Sequence, residues 1–352
     1  MVKFCASSPL QLICILTLFS VLFTACETDT PAPIISMPEV ISGDGVLIVN
    51  EGNYGWGNAS LSYYQKSSDE IFHELFRHAN GDKLGDVFQS VYLGDEYAWL
   101  VVNNSGKIEC IDLKTFNRVG SIHGLISPRF MLSVGTDKAY VSDLFGNRIT
   151  IINLASLEIT GKIEVNGWTE SLVLHNDRVL VTGVQSGFIY AIDPATDQIT
   201  DSLAVPPGPI SMVKDADEHI WVLSGEAPML KNRPALYQIA GDKFKVSRHI
   251  HLPGENTSYS NLAVCPAGEF LYILGDHVYR LDLLDSEADI EVYIPANGRI
   301  LYGLSVDPAN GDIYVTDAID FVQPGIMFRY HSDGTLITSH KTGLIPGGFA
   351  FP

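Results

Sequence analysis

The chain is poor in cysteine, in positive charge and in long hydrophobic runs. Of five cysteines, Cys5, Cys14 and Cys26 fall in the first 26 residues, leaving Cys110 and Cys265, each inside an apolar strand pattern (IECIDL, NLAVC). That excludes a scaffold built on disulfides and predicts two buried free thiols. Only 22 Lys and Arg face 41 Asp and Glu; setting Lys3 aside with the leader leaves 41 against 21, a net charge of −20. With no basic stripe, such a chain repels phosphate backbones, so nucleic-acid binding is excluded, and the acidity reads as solubility. No Cys/His metal spacing, Gly-rich phosphate loop or nucleophile elbow is present, and the ten histidines are scattered. The expectation is a protein that is not an enzyme and carries no cofactor or metal.

The longest apolar run, Leu10–Phe23, is shorter than the ~20 residues that span a bilayer. Preceded by Lys3 and followed by Thr24-Ala25-Cys26, it forms a secretory leader pattern, with an uncleaved anchor helix as the alternative. It resembles a bacterial lipoprotein signal, which implies cleavage after Ala25 and lipidation of Cys26, although Phe23 stands where such signals carry a small or β-branched residue. Several acyl chains, at about 0.8 kcal/mol per buried CH₂, then hold the protein to the membrane through the anchor alone. Glu27-Thr28-Asp29 resembles the acidic export tag of surface lipoproteins in Bacteroides-like bacteria, implying the outer membrane and exposure on the cell surface. Residues 26–43, with Pro31, Pro33 and Pro38, read as a stiff tether, and 44–352 as the folded domain.

That domain repeats. Short strands rich in β-branched and aromatic residues alternate with Gly/Asn/Asp turns, and every third strand closes at a recurring position: Gln65, Asp112, Asn153, Asp193, Ala240, Asp282 and Tyr330. Units of roughly 40–50 residues with four strands are the signature of propeller blades. First strands open at Gln89, Arg129, Glu170, Ile210, Asn261 and Tyr302. The first unit starts directly with a second strand, Val46–Val49, and the chain ends on an unpartnered strand, Gly347–Phe351. The prediction is an all-β, seven-bladed propeller of four-stranded antiparallel blades, its ring closed by the C-terminal strand pairing with the first blade, which removes an open edge.

AYVSDLFGNRITIINLASLEITGKIEVNG, residues 139–167, resembles a YVTN-type blade, and the whole folded domain is similar to YncE-like propellers. More narrowly, VNEGNYGWGNASLSYY (49–64) with ANGDKLGD (79–86) resembles the first blade of propeller surface lipoproteins in Bacteroides-like bacteria. Some of those capture cobalamin or another corrinoid and pass it to a TonB-dependent outer-membrane transporter. The resemblance therefore implies a surface-anchored, non-catalytic protein that captures a nutrient. A protein-interaction platform without a small ligand and a metal-dependent propeller hydrolase or lactonase stand as alternatives.

In four-stranded blades the loops between strands two and three share one rim with the connections between blades. Residues there that suit a large, partly polar ligand are Asn53, Tyr54, Trp56, Asn103, Phe145, Trp168, Gln185, Tyr259, Arg299 and Tyr302. Asn104, Asn147, Arg77, His78, Glu226, Met229, Asp320 and Phe321 share that rim, and Glu51, Asn103, Asp143 and Asp317 are candidate ligands for an axial metal. Each also has a structural reading: glycines and amides serve turns, and Trp168 staples blades. Tyr54 and Trp56 stand out because a Gly/Asn loop offers no strand face for two aromatic rings to fill.

Overall fold

In each repeat the second and third strands are the most apolar and the fourth is polar, so a blade must bury both faces of its middle and leave its outer edge wet. The computed structural model describes residues 37–38, 44–205, 208–225, 233–240, 243–254, 257–287 and 289–352. Among them, strands numbered β1–β28 in chain order form seven four-stranded antiparallel sheets. Blade one contains β1 (Gly45–Asn50), β2 (Ser60–Gln65) and β3 (Glu70–Phe72). Blade two has β4 (Phe88–Leu93), β5 (Tyr97–Val102), β6 (Lys107–Asp112) and β7 (Arg118–His123). Blade three has β8 (Pro128–Ser133), β9 (Lys138–Asp143), β10 (Arg148–Asn153) and β11 (Glu158–Glu164). Blade four has β12 (Thr169–His175), β13 (Arg178–Gly183), β14 (Phe188–Asp193) and β15 (Gln198–Ala204). Blade five has β16 (Pro209–Lys214), β17 (Ile220–Ser224), β18 (Ala235–Ile239) and β19 (Val246–His251). Blade six has β20 (Asn261–Val264), β21 (Phe270–Leu274), β22 (Val278–Asp282) and β23 (Glu291–Ile294). Blade seven has β24 (Leu301–Val306), β25 (Ile313–Asp317), β26 (Pro324–Tyr330) and β27 (Leu336–Leu344).

The last strand, β28 (Pro346–Ala350), pairs with β1 and completes blade one, as the sequence predicts. The inner strands β28, β4, β8, β12, β16, β20 and β24 neighbour one another in a closed ring around the axis. Apolar layers lie between adjacent blades: Trp99 and Val101 of blade two meet Ala139 and Val141 of blade three. At the closing seam Val46, Ile48 and Tyr64 meet Tyr314 and Met327.

Two local devices explain the repeat. Aspartate or asparagine closes four of the third strands because its side chain accepts the amide two residues on, which starts the turn to the fourth strand. Asp112 Oδ1 takes Lys114 N at 3.0 Å, Asn153 Oδ1 takes Ala155 N at 3.0 Å, Asp193 Oδ1 takes Ala195 N at 2.8 Å and Asp282 Oδ1 takes Leu284 N at 2.9 Å. The second device is a register shift near the start of the inner strands, as between Pro128 and Met131 and between Leu301 and Leu304. The bulge frees an amide, and a buried Ser or Thr of the second strand accepts it: Ser142 from Phe130, Thr182 from Ser171 and Thr316 from Gly303, at 3.0, 2.9 and 2.7 Å.

Cys110 and Cys265 are buried free thiols in blades two and six, and burial pushes the Cys110 thiol up to about 11. Cys26 and the proposed leader lie outside the described residues; of the expected tether, Met37 packs against the core shared by blades one and two. Among the described residues no helix is long and apolar enough to cross a membrane.

Candidate functional site

A bulge turns the second residue of six of the inner strands toward the axis. Gln89, Arg129, Glu170, Ile210, Tyr302 and Gly347 hold this position in six blades, with Ser260 just ahead of β20 in the remaining one, and all seven line an axial cavity of about 370 Å³. Arg129 and Glu170 form a two-point ion pair, Nε to Oε2 at 2.8 Å and Nη2 to Oε1 at 2.6 Å. Gln89 accepts from Nη1 of the same guanidinium, and Trp168 Nε1 donates to Glu170 Oε2. The Tyr302 hydroxyl donates to Glu51 Oε2 at 3.0 Å. Loss of water by burial raises the Glu51 carboxyl from 4.5 to about 7; the Tyr302 hydrogen bond and Arg129 pull it down, and Glu170 adds to the rise.

A second ring, one residue further along, ties neighbouring blades. Ser90 Oγ donates to Arg129 O at 2.6 Å, Ser171 Oγ accepts from Met212 N at 3.2 Å, Ser211 Oγ accepts from Leu262 N at 3.2 Å, and Asn261 Nδ2 donates to Leu304 O at 3.0 Å. Deeper apolar wall comes from Val49, Val91, Met212, Leu262 and Phe349.

Beside the cavity mouth stands the Gly52–Asn58 loop, held from several sides. The Asp86 carboxylate accepts Gly55 N at 2.9 Å, Asn58 Oδ1 accepts Asn53 N at 2.8 Å, and Asn53 Nδ2 reaches across the seam to Phe321 O at 2.6 Å. Gly52 has φ +73°, and a Cβ there would meet Ala59 N at 2.6 Å, so the turn requires glycine. This rigid loop presents Tyr54 and Trp56, 78% and 74% exposed. Phe321 lies next to it, its ring 5.4 Å from that of Tyr302. The two separated stretches quoted from blade one thus form a single unit, joined by Asp86 and by a bridge from Ala59 to Gly85.

The ten candidate residues divide. Asn53, Tyr54 and Trp56 share the loop that follows Glu51, Tyr302 lines the cavity and bonds Glu51, and Trp168 reaches the same cavity through its hydrogen bond to Glu170. Phe145 is 71% exposed on the rim of blade three, and Gln185 sits on the blade-four rim beside Gly167. The other three are structural. Asn103 is buried, donating to Pro128 O and accepting from Ser127 Oγ. Tyr259 is buried between blades five and six with its hydroxyl on Pro253 O. Arg299 caps Ala296 O and Pro295 O, donates to the Tyr330 hydroxyl and stacks on Phe328. Asp143 and Asp317, candidate metal ligands, accept loop amides instead: Ser127, Phe145 and Gly146 for the first, Ile300 and Ile319 for the second. Glu226 and Met229 lie outside the described residues. Among the described residues no group of three or more His, Cys, Asp or Glu is placed to hold a metal.

Sequence reading missed Gln89, Arg129 and Glu170 as site residues. The available signal was that each opens a first strand in register with Tyr302.

The model of the domain of unknown function DUF5074 matches residues 44–339. The chain belongs to this family. Comparison with curated proteins found no match. Among solved structures, DUF5074 as seen here is similar to a quinonprotein alcohol dehydrogenase-like protein of Bacteroides thetaiotaomicron, with a TM-score of 0.71 and 17% identity over 88% of this chain and 78% of that one. It is similar also to a protein of Lactobacillus plantarum, with a TM-score of 0.67 and 13% identity over 88% and 99% of the two chains. A candidate 6-phosphogluconolactonase of Bacteroides fragilis gives a TM-score of 0.65 and 12% identity over 90% and 100%. At these identities the likeness establishes the propeller fold alone.

Proposed function

We propose that this DUF5074 propeller is a surface-anchored binding protein that captures a scarce nutrient, a corrinoid being the leading candidate, and presents it to a TonB-dependent outer-membrane transporter. One observation carries the reading: Tyr54 and Trp56 stand almost fully exposed on a loop locked by Asp86, Asn58 and Asn53 beside a polar cavity mouth. Rigid aromatics that lose little freedom on binding are efficient anchors for a flat, amphipathic ligand. A corrin macrocycle with its amide side chains would overfill a 370 Å³ cavity, near the lower end of the ~300–1,000 Å³ range for ligand pockets. It would lie across the rim, on Tyr54, Trp56 and Phe321, with its amides toward Asn53 and Asn104. Capture from dilute medium requires about nanomolar affinity, near −12 kcal/mol, and hence a large buried face.

The test is calorimetric titration of the purified protein with cobalamin and cobinamide. One-to-one binding, weakened at least tenfold by Trp56→Ala and by Tyr54→Ala, supports the reading. No heat with either ligand at micromolar protein refutes corrinoid capture, and a transporter pull-down that persists without corrinoid would replace it with a protein-docking role for the same aromatics.

A further inference from the structure

We propose that the axial cavity is a second binding site, for a small organic ammonium ion on a short apolar body, with Glu51 as its counter-ion. The assignment is independent of rim capture.

Charge pairing inside the cavity leaves one group over. Arg129 is committed: Nε and Nη2 bind Glu170 and Nη1 binds Gln89, so three of its five N–H groups are taken and its charge is matched by Glu170. Glu170 is likewise filled by Arg129 and Trp168. Glu51, by contrast, receives only the Tyr302 hydroxyl on Oε2, and no described Lys, Arg or His forms an ion pair with it. Its other oxygen lies beside Gly347 at the cavity wall, where a Cβ on that glycine would come within 2.6 Å of Oε1. The site therefore has a carboxylate outside any ion pair among the described residues: Arg129 acts on it through space, with no hydrogen bond between them.

The rest of the cavity selects the kind of cation. A divalent metal wants several hard oxygen ligands, and among the described residues no cluster of carboxylates or histidines offers them. An ammonium needs one carboxylate and a few neutral acceptors, which Glu51, the Tyr302 oxygen and Ser260 provide. Val49, Val91, Ile210, Met212, Leu262 and Phe349 line the cavity beside Ser90, Ser171, Ser211 and Asn261, whose side chains are engaged in bonds between blades, so the surface left for a ligand's body suits an alkyl or aryl group. At ~30 Å³ per water-sized atom, 370 Å³ holds about a dozen non-hydrogen atoms, the size of an arylalkylamine. Titratable groups facing Glu51 are Tyr302, Arg129 and Glu170. The first and second of these keep one charge state between about pH 5 and 9, so Glu51 governs the pH response there.

The experiment is titration of the purified protein with phenethylamine, cyclohexylamine and butylamine, each paired with its uncharged alcohol, at about pH 6 and about pH 8. The amine binds more tightly than its alcohol, and affinity rises about tenfold between the two values as Glu51 goes from mostly protonated to mostly ionised. Glu51→Gln removes both the amine preference and the pH dependence, while Trp56→Ala leaves both intact. Amines that bind no better than their alcohols, a Glu51→Gln variant that keeps the preference, or no binding by any of the three amines at millimolar concentration overturns the proposal. Loss of corrinoid binding in Trp56→Ala with amine binding unchanged separates the two sites.

Discussion

Replacing Thr316 with valine tests the physical account of the ring seam. The Thr316 hydroxyl is fully buried; it accepts Gly303 N at 2.7 Å and donates to Pro346 O at 2.5 Å, so one side chain satisfies a bulge amide in blade seven and a carbonyl of the closing strand β28. Valine keeps the volume and leaves both groups buried without partners. Each orphaned group costs about 1–3 kcal/mol, so the two together place the loss in a range of about 2–6 kcal/mol, with about 3 kcal/mol as the working figure. With an unfolding entropy of about 2.1 cal/mol/K per residue over roughly 300 residues, 3 kcal/mol lowers Tm by about 5 °C. Ser142→Ala supplies the comparison, because Ser142 accepts Phe130 N at 3.0 Å and donates only a long bond to Phe130 O at 3.4 Å, both within blade three and spanning no seam. It should cost about half as much. Scanning calorimetry with equilibrium urea unfolding reads both variants, and Thr316→Ser should restore most of the loss. A Thr316→Val protein melting within 1 °C of the parent, or a Ser142→Ala protein that loses more, would refute the assignment of these hydroxyls as bulge acceptors.

Glu51 gives a pH prediction. Its carboxyl is raised from 4.5 to about 7, so the folded state binds its proton more tightly than the unfolded state does; that contribution is full below about pH 4.5 and is lost as pH rises through about 7. The shift corresponds to about 3 kcal/mol, and Glu51→Gln should flatten the fall in stability across this window relative to the parent; equal slopes would contradict it. Asn103→Ala removes the link from blade two to Ser127 and Pro128 and should destabilise by about 1–3 kcal/mol without altering ligand affinity, as urea unfolding beside titration would show. Trp56→Ala should change stability by less than about 0.5 kcal/mol, since its ring packs on little. Deleting residues 346–352 exposes the edge of β1, and size-exclusion chromatography should then show oligomers in place of a single closed ring.

The number of blades, their four strands and the exchange of the last strand were legible because each rests on short-range chemistry. Asp112, Asn153, Asp193 and Asp282 mark turns within two residues of themselves, and apolar alternation marks the strands between them. An unpaired strand at each end of the repeat array has one economical partner, the other. The aromatic pair Tyr54 and Trp56 was legible for a similar reason, since glycine and asparagine on both sides left those rings no sheet face to join.

The axial site was decided by tertiary structure alone. Gln89, Arg129, Glu170 and Tyr302 look in sequence like ordinary strand residues 40 to 213 positions apart, and only closure of the ring brings them into one cavity. The same closure determined that Asn103, Tyr259 and Arg299, attractive by residue type, are turned into the joints between blades. Local sequence specifies where each strand turns; which face of it meets the axis depends on a bulge and on six other blades, and neither the exposure of a side chain nor its charge environment exists until they have assembled.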